Sequence, residues 1–309
     1  MKTAIILNPN AGRARHVPGT DAFRQALRAA GIETSIETTK QRGDAVRLAR
    51  ELTPHVDVLA IIGGDGTIHE AVNGMMGAAP DPVPLVVIPY GAGNDLASLL
   101  GCPRTPKELI DVLRAGYAAR LDVLDFGDRF CINSAGLGFE GQVNRYSHSI
   151  RLVRGHLRYM AAVVKALASY SCLRFRLTTP QGDEIDGEKL LISIGNGIRT
   201  GGAFYFWPDA YPDDGLIDVC VVEPMGRLRM ISLLPKVLKG RHVRRPEVTM
   251  LRVESLSIES DTAYPMHIDG EFVESPPGRR EVTVRRRKVI VLCNSQYGNR
   301  LKHPLERVL

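Results

Sequence analysis

A chain of 309 residues is about twice the ~150 of a typical domain, which favours two compact units over one. With 44% hydrophobic and 24% charged residues it is neither a disordered nor a collagen-like chain. Its 40 basic and 34 acidic residues give a net charge of +6, an excess that suits phosphate ligands, nucleic acid or an anionic membrane without choosing among them. The five cysteines, Cys102, Cys131, Cys172, Cys220 and Cys293, lie far apart with no C-x-x-C pair. Neither a disulfide framework nor a cysteine zinc site is indicated, and a reduced, cytosolic chain is expected. The apolar run at the amino end is too short for a signal-peptide core, and no run approaches the ~20 apolar residues that a bilayer crossing needs. Contact with a membrane would be made from its surface.

Strand and helix patterns alternate through the first 125 residues. Residues 4–7 read as a strand, 19–30 as a helix, 33–38 as a strand, 44–52 as a helix, 56–62 as a near-continuous β run, 67–76 as a helix and 85–89 as a buried strand. Apolar strands alternating with helices predict a parallel sheet covered on both faces, an α/β domain over 1–125. Beyond Leu121 the period changes. Runs at 174–178, 189–195, 216–222, 249–259, 264–273 and 281–293, separated by Gly, Pro and Asp, predict an antiparallel sandwich or barrel over 126–292. Helical insertions are expected near 150–170 and 228–239. Residues 293–309 read as a tail able to pack back on the first domain.

The most informative segment is Gly63-Gly64-Asp65-Gly66-Thr67, which follows the apolar run 58–62 and precedes a helix. A glycine loop at the carboxyl end of a parallel strand lets backbone N–H groups approach a phosphate, and the helix N-terminus behind it favours anions. Asp65 beside phosphates implies a Mg²⁺ role or the positioning of an attacking hydroxyl. Two further loops, Asn8-Pro9-Asn10-Ala11-Gly12 and Pro89-Tyr90-Gly91-Ala92-Gly93-Asn94-Asp95, follow strands of the same sheet and would reach the same edge. The Walker pattern and a strand-linked G-x-G-x-x-G are absent, so neither a P-loop nor a standard dinucleotide fold is expected.

The series N-P-x-A-G, G-G-D-G-T and P-x-G-x-G-N-D resembles the diacylglycerol kinase catalytic-domain family, in particular its bacterial soluble lipid kinases. The resemblance continues through Asn133–Phe139, Gly195-Asn196-Gly197, Asp213-Asp214-Gly215-Leu216-Ile217-Asp218 and Asp269-Gly270-Glu271, and so covers nearly the whole chain. NAD kinases share the G-G-D-G-T loop, and an NAD kinase-like phosphotransferase is the alternative. The resemblance implies an α/β nucleotide domain and a β-sandwich lipid-substrate domain with the active site in the cleft between them. It implies transfer of the γ-phosphate of ATP to a lipid hydroxyl, with diacylglycerol the first candidate and phosphatidylglycerol or a sphingoid base as others. Gly63, Gly64, Asp65, Gly66 and Thr67 would hold the ATP phosphates, Asn8 and Thr39 would lie at the nucleotide, and Gly91, Ala92, Gly93 and Asn94 would complete the pocket. Asp214 with the carbonyls of Tyr211 and Leu216 would bind Mg²⁺ linked through water to Asp65, and Asp269 matches the general base. Tyr90 and Ala92 depart from the usual P-L-G-T-G-N-D, which removes a side-chain hydroxyl at position 92.

On the residues alone, Asp269-Gly270 is also a strong hairpin-turn signal, and the base role stands beside that reading, with Asp65 as the other proton acceptor. Acids at 213, 214 and 218 are compatible with a cation or with a turn. His69 and His267 read as packing or surface residues. Two acid-free stretches, between Glu140 and Asp183 and between Glu223 and Glu247, carry seven basic residues each and include amphipathic helical patterns. They fit either peripheral docking on an anionic membrane or ordinary domain packing with solvated basic faces. Arginines near Tyr146, Tyr159 and Tyr170 also allow a nucleic-acid contact, but no nucleic-acid module accompanies them. The expected partners are a lipid at an anionic membrane surface and no nucleic acid, with a homodimer left open. A cytoplasmic, peripherally membrane-associated enzyme is expected.

Overall fold

The computed structural model describes residues 1–12, 20–79, 81–150, 156–294 and 301–309. It divides into two compact units. The first comprises Met1–Val123, Tyr211–Asp214 and Arg285–Leu309, the second Leu124–Ala210 and Gly215–Val284.

In the first unit β1 (Lys2–Leu7), α1 (Thr20–Ala29), β2 (Glu33–Thr38), α2 (Asp44–Leu52), β3 (Val58–Gly63), α3 (Asp65–Met75) and β4 (Leu85–Pro89) alternate as expected. The strands run parallel in the order β2-β1-β3-β4, and the carboxyl half of a later strand adds beside β4 through Val291 and Leu85. β3 is buried at all six positions, which is why it reads as a continuous apolar run. Three further elements follow: α4 (Asp95–Leu100), α5 (Pro106–Ala115) and β5 (Tyr117–Asp125). Helix α5 shows why its segment folds: Thr105 caps it by accepting the Glu108 N–H at 3.2 Å, and Leu109, Val112 and Leu113 place one apolar stripe in the core. That core joins Phe23 and Leu27 of α1 to Ile5, Ile62, Val86 and Ile88 of the strands, where each fully buried large aliphatic contributes about 1.5–3 kcal/mol.

The second unit opens with β6 (Phe130–Cys131), β7 (Ser134–Gly138), α6 (Phe139–Ser149) and α7 (His156–Ser169). It continues through β8 (Leu173–Thr178), β9 (Glu184–Lys189), β10 (Leu191–Gly195), β11 (Ile217–Val222) and α8 (Arg227–Val237). Its last strands are β12 (Val248–Val253), β13 (Ser255–Ser260), β14 (Tyr264–Ile268), β15 (Glu271–Ser275) and the first half of β16 (Gly278–Leu292), while β17 (Glu306–Arg307) pairs with β5 in the first unit. One sheet has the antiparallel order β12-β11-β10-β7-β14-β15, and the other runs from β16 through β13 and β8 to β9. Phe175, Leu177, Leu256 and Ile258 from one sheet and Leu137, Ile192, Val219 and Met266 from the other fill a shared core, so the unit is a β-sandwich. A second cluster, including Phe139, Val163, Trp207, Leu233 and Val237, gathers α6, α7 and α8.

Two expected strands divide. The run 249–259 crosses from one sheet to the other at Glu254, giving β12 and β13. The run 264–273 folds into a hairpin around Asp269 and Gly270. The helix expected at 150–170 is described from His156, because residues 151–155 lie outside the described residues.

Candidate functional site

The register of the first unit brings its loops to one edge. Leu7 pairs with Thr38 and with Ile62, and Gly63 pairs with Pro89, so β1, β2, β3 and β4 end side by side. The residues that follow are knitted together. Asn8 donates from Nδ2 to Thr67 Oγ1 at 2.9 Å, the Thr39 N–H donates to the Leu7 carbonyl at 2.9 Å, and the Tyr90 N–H donates to the Gly63 carbonyl at 2.8 Å. Gly64 and Gly91 touch through their backbones: a Cβ on Gly91 would lie 2.6 Å from the Gly64 Cα. Neither position can carry a side chain without separating the loops. Asn8, Thr39, Gly63, Gly64, Thr67, Gly91 and Asn94 therefore share one edge, with Ala92 exposed on it.

Asp65, at the start of α3, spans two of these loops. Its carboxylate accepts the backbone N–H groups of Asn94 at 2.8 Å and Asp95 at 2.9 Å, where α4 begins. Asn94 itself adopts a left-handed conformation, φ 50°, and its Oδ1 accepts the Gly91 N–H at 2.8 Å. A charge that could repel phosphate is thus partly offset by amide dipoles and used to set the geometry of the second loop. Sequence spacing gives no hint of this tie. Glu70 is another unforeseen contributor, accepting the N–H groups of Gly43 at 2.8 Å and Ala45 at 3.2 Å where α2 begins.

In the second unit Asp269 and Gly270 are the two residues between β14 and β15. Both have positive φ, 49° and 83°, the combination a type I′ hairpin requires. The turn is real, and the Asp269 side chain does more than make it. Oδ1 accepts from the backbone of Asn133 at 2.9 Å and Ser134 at 3.0 Å and from the Cys131 thiol at 3.2 Å, while Oδ2 accepts from Ile132 at 2.9 Å. Burial, and then the neighbouring Asp269 charge, hold the Cys131 thiol well above the usual thiol range, so it stays protonated and can donate.

The acids at 213, 214 and 218 do not act as a trio. Asp213 accepts the N–H groups of Lys302 at 2.8 Å and His303 at 2.7 Å, and Asp218 pairs with Arg252 at 3.1 Å. Among the described residues no three His, Cys, Asp or Glu side chains gather as a metal cage. Tyr211 and Asp214 belong to the first unit and Leu216 to the second. The half-buried Asp214 carboxylate and the Tyr211 carbonyl, both in the first unit, are oxygen donors of the kind Mg²⁺ takes, because that ion keeps several waters.

A narrow pocket of about 50 Å³ lies within the second unit, walled by Tyr159, Val163 and Leu167 of α7, by Met230, Leu233, Leu234 and Val237 of α8, and by Phe139, Leu191 and Phe204. Its only ionisable lining groups among the described residues are Glu140, Tyr159 and His242. The outer faces of α7 and α8 leave Met160, Val164, Leu228 and Ile231 exposed. The basic runs around them are not acid-free in space. Arg145 lies 3.6 Å from Glu274, Arg174 pairs with Asp186 at 2.8 Å, and Arg176 pairs with Glu184 at 3.2 Å. Arg151 and Arg154 lie outside the described residues.

Residues 2–126 match the diacylglycerol kinase catalytic domain, and residues 133–291 match the YegS C-terminal NAD kinase beta sandwich-like domain. The chain belongs to the diacylglycerol kinase catalytic-domain family. It is 33% identical over 274 residues to a "Probable lipid kinase YegS-like" of Chromohalobacter salexigens, covering 87% of this chain and 86% of that one. A diacylglycerol kinase of Staphylococcus saprophyticus is 30% identical over 280 residues, covering 90% and 91%. A crystal structure of a diacylglycerol kinase from Bacillus anthracis superposes with a TM-score of 0.71 at 22% identity over 96% of this chain and 98% of that one. The fold is also shared with yeast NADH kinase complexed with NADH, at a TM-score of 0.51, 12% identity and coverage of 96% and 84%. As a member of this family the chain is a lipid kinase, a phosphotransferase with an alcohol acceptor.

Proposed function

We propose that this lipid kinase transfers the γ-phosphate of Mg-ATP to the free hydroxyl of diacylglycerol, giving phosphatidic acid. The observation that favours a lipid over a dinucleotide acceptor is the pocket of the second unit, whose walls are mostly aliphatic and aromatic side chains, the chemistry an acyl chain would meet as it entered. The loops carrying Asn8, Gly63 to Thr67 and Gly91 to Asn94 would hold ATP through backbone N–H groups and the N-terminus of α3. Asp214, with the Tyr211 carbonyl, is the residue offered to Mg²⁺, which when bound would neutralise phosphate charge.

Asp269 would take the proton of the attacking hydroxyl. The substrate hydroxyl would replace one of its donors, among which the thiol of Cys131 is the weakest and most distant. Asp65 acts in this reading on the nucleotide loops. The exposed apolar residues of α7 and α8, with Lys165, Arg229 and Lys236 nearby, would rest on an anionic bilayer and bring the pocket to its lipid. Among the described residues no helix is long and apolar enough to cross a membrane.

The test is a panel assay with γ-labelled ATP, Mg²⁺ and, separately, diacylglycerol, phosphatidylglycerol, a sphingoid base and NAD. Label extracted with diacylglycerol supports the reading. Label found only in NADP overturns it in favour of the dinucleotide reaction. Asp269→Asn should lower kcat on the order of 10²–10⁴-fold with little change in the KM for ATP.

A further inference from the structure

The turn that carries Asp269 is held by a set of side chains that the reaction as described does not use. Ser193, Gly136 and His267 lie directly opposite one another on three neighbouring strands, β10, β7 and β14. The central residue has no side chain, and the space is taken by Glu140 from α6: a Cβ on Gly136 would lie 2.3 Å from the Glu140 carboxyl carbon. Glu140 is 5% exposed and His267 is 4% exposed. The Glu140 carboxylate accepts Ser193 Oγ–H at 2.5 Å on one oxygen and faces His267 Nε2 at 3.1 Å on the other.

The other ring nitrogen fixes the tautomer. The Gly270 N–H donates to His267 Nδ1 at 3.3 Å, so Nδ1 bears no proton and Nε2–H is the donor to Glu140. The carbonyl of the same Gly270 accepts Asn144 Nδ2 at 2.8 Å and faces His148 Nε2 at 3.3 Å. Glu140, Asn144 and His148 are spaced four residues apart and so form one stripe of α6. That stripe grips the residue Gly270 at both its N–H, through His267, and its C=O. Asp269 immediately precedes it in a left-handed conformation that an L-residue holds at a cost and that needs outside support.

We infer that Glu140, His267 and Asn144 are positioning residues that fix the Asp269–Gly270 turn and with it the direction of the Asp269 carboxylate. The inference rests on the assignment of Asp269 as proton acceptor.

The test compares His267→Leu, His267→Asn, Asn144→Leu and Asp269→Asn in the full-length enzyme with Mg-ATP and diacylglycerol. His267→Leu removes the acceptor for the Gly270 N–H, whereas the oxygen of His267→Asn replaces Nδ1. Asn144→Leu breaks the clamp at its partly buried end without stranding the Glu140 charge, so it serves where His267→Leu fails to fold. The expected result is a kcat about 10- to 100-fold lower for His267→Leu and about tenfold lower for Asn144→Leu, with the KM for ATP unchanged within about twofold and with His267→Asn, which restores the acceptor for Gly270 but not the donor to Glu140, between His267→Leu and wild type. Long-range ¹⁵N–¹H correlations should show His267 neutral with its proton on Nε2.

Wild-type kcat in folded Asn144→Leu and His267→Leu, alongside a crippled Asp269→Asn, overturns the positioning role and leaves the base assignment standing. Equal loss in His267→Asn and His267→Leu also overturns it. Wild-type kcat in Asp269→Asn overturns the base assignment and leaves the clamp with no proton acceptor to position.

Discussion

Replacing Asp65 by asparagine tests whether this carboxylate organises the nucleotide loops. Its oxygens accept two backbone N–H groups, from Asn94 and Asp95, at a half-buried position. Asparagine offers one acceptor oxygen and turns an NH₂ group toward the other amide, so one charge-assisted bond is lost and one donor faces another. A hydrogen bond to a charged group contributes about 1.5–3 kcal/mol and a stranded donor costs about 1–3 kcal/mol. Partial access of water puts the sum near the low end, at about 2–4 kcal/mol. At roughly 2–4 °C per kcal/mol, Tm should fall by about 5–15 °C. Asp65→Ala should cost less, because the space it opens admits a water that can accept from both amides. Thermal melts should therefore rank wild type above Asp65→Ala and Asp65→Ala above Asp65→Asn. Both variants should also raise the KM for ATP, since the Gly91–Asn94 loop loses its tie to the Gly63–Thr67 loop. An Asp65→Asn protein that melts with wild type, or above Asp65→Ala, would refute the argument.

The loops were legible in the sequence because their function demands residues with almost no side chain. Gly64 and Gly91 must let two backbones touch, and that need is written directly as glycine after a buried strand. What was illegible depends on register across the fold. Asp213 resembles a cation ligand until its partners prove to be amides 89 and 90 residues away. The basic stretch that starts after Glu140 lacks acids only along the chain, because β9, β13 and β15 bring Glu184, Asp186, Glu259 and Glu274 to its arginines. Glu140 and His267 carry no local signal, since their meeting requires β7 to place Gly136 between Ser193 and His267. A lone histidine in a strand reads as packing for that reason, and here packing and polar anchoring are the same contact.

Three further expectations concern the second unit. Val163→Phe puts a ring into the apolar pocket, so the KM for long-chain diacylglycerol should rise about tenfold while turnover of a short-chain analogue stays near wild type; equal effects on both would exclude the pocket as the acyl site. Leu228→Asp with Ile231→Asp changes side chains that are 85% and 52% exposed, so stability should move by less than about 1 kcal/mol in all, while binding to anionic vesicles should weaken about tenfold or more. Unchanged vesicle binding would remove α8 from the membrane contact. His242 supplies a pH dependence whose sign follows from its burial. Burial pushes its imidazole down to about 4, only partly opposed by its hydrogen bond to the Phe206 carbonyl at 3.1 Å. In the unfolded chain the same ring titrates near ~6.5. Above that pH both states hold it neutral and it contributes nothing to the slope. Between about 6.5 and 4 only the unfolded chain binds the proton, so stability falls as the pH falls, by roughly 3 kcal/mol across the window, and the loss levels off below it. Denaturant titrations of wild type and His242→Phe at intervals from pH 7 to 4 should diverge by the uptake of about one proton. Parallel curves would mean that His242 is protonated in the folded protein and that its environment is wetter than its contacts imply.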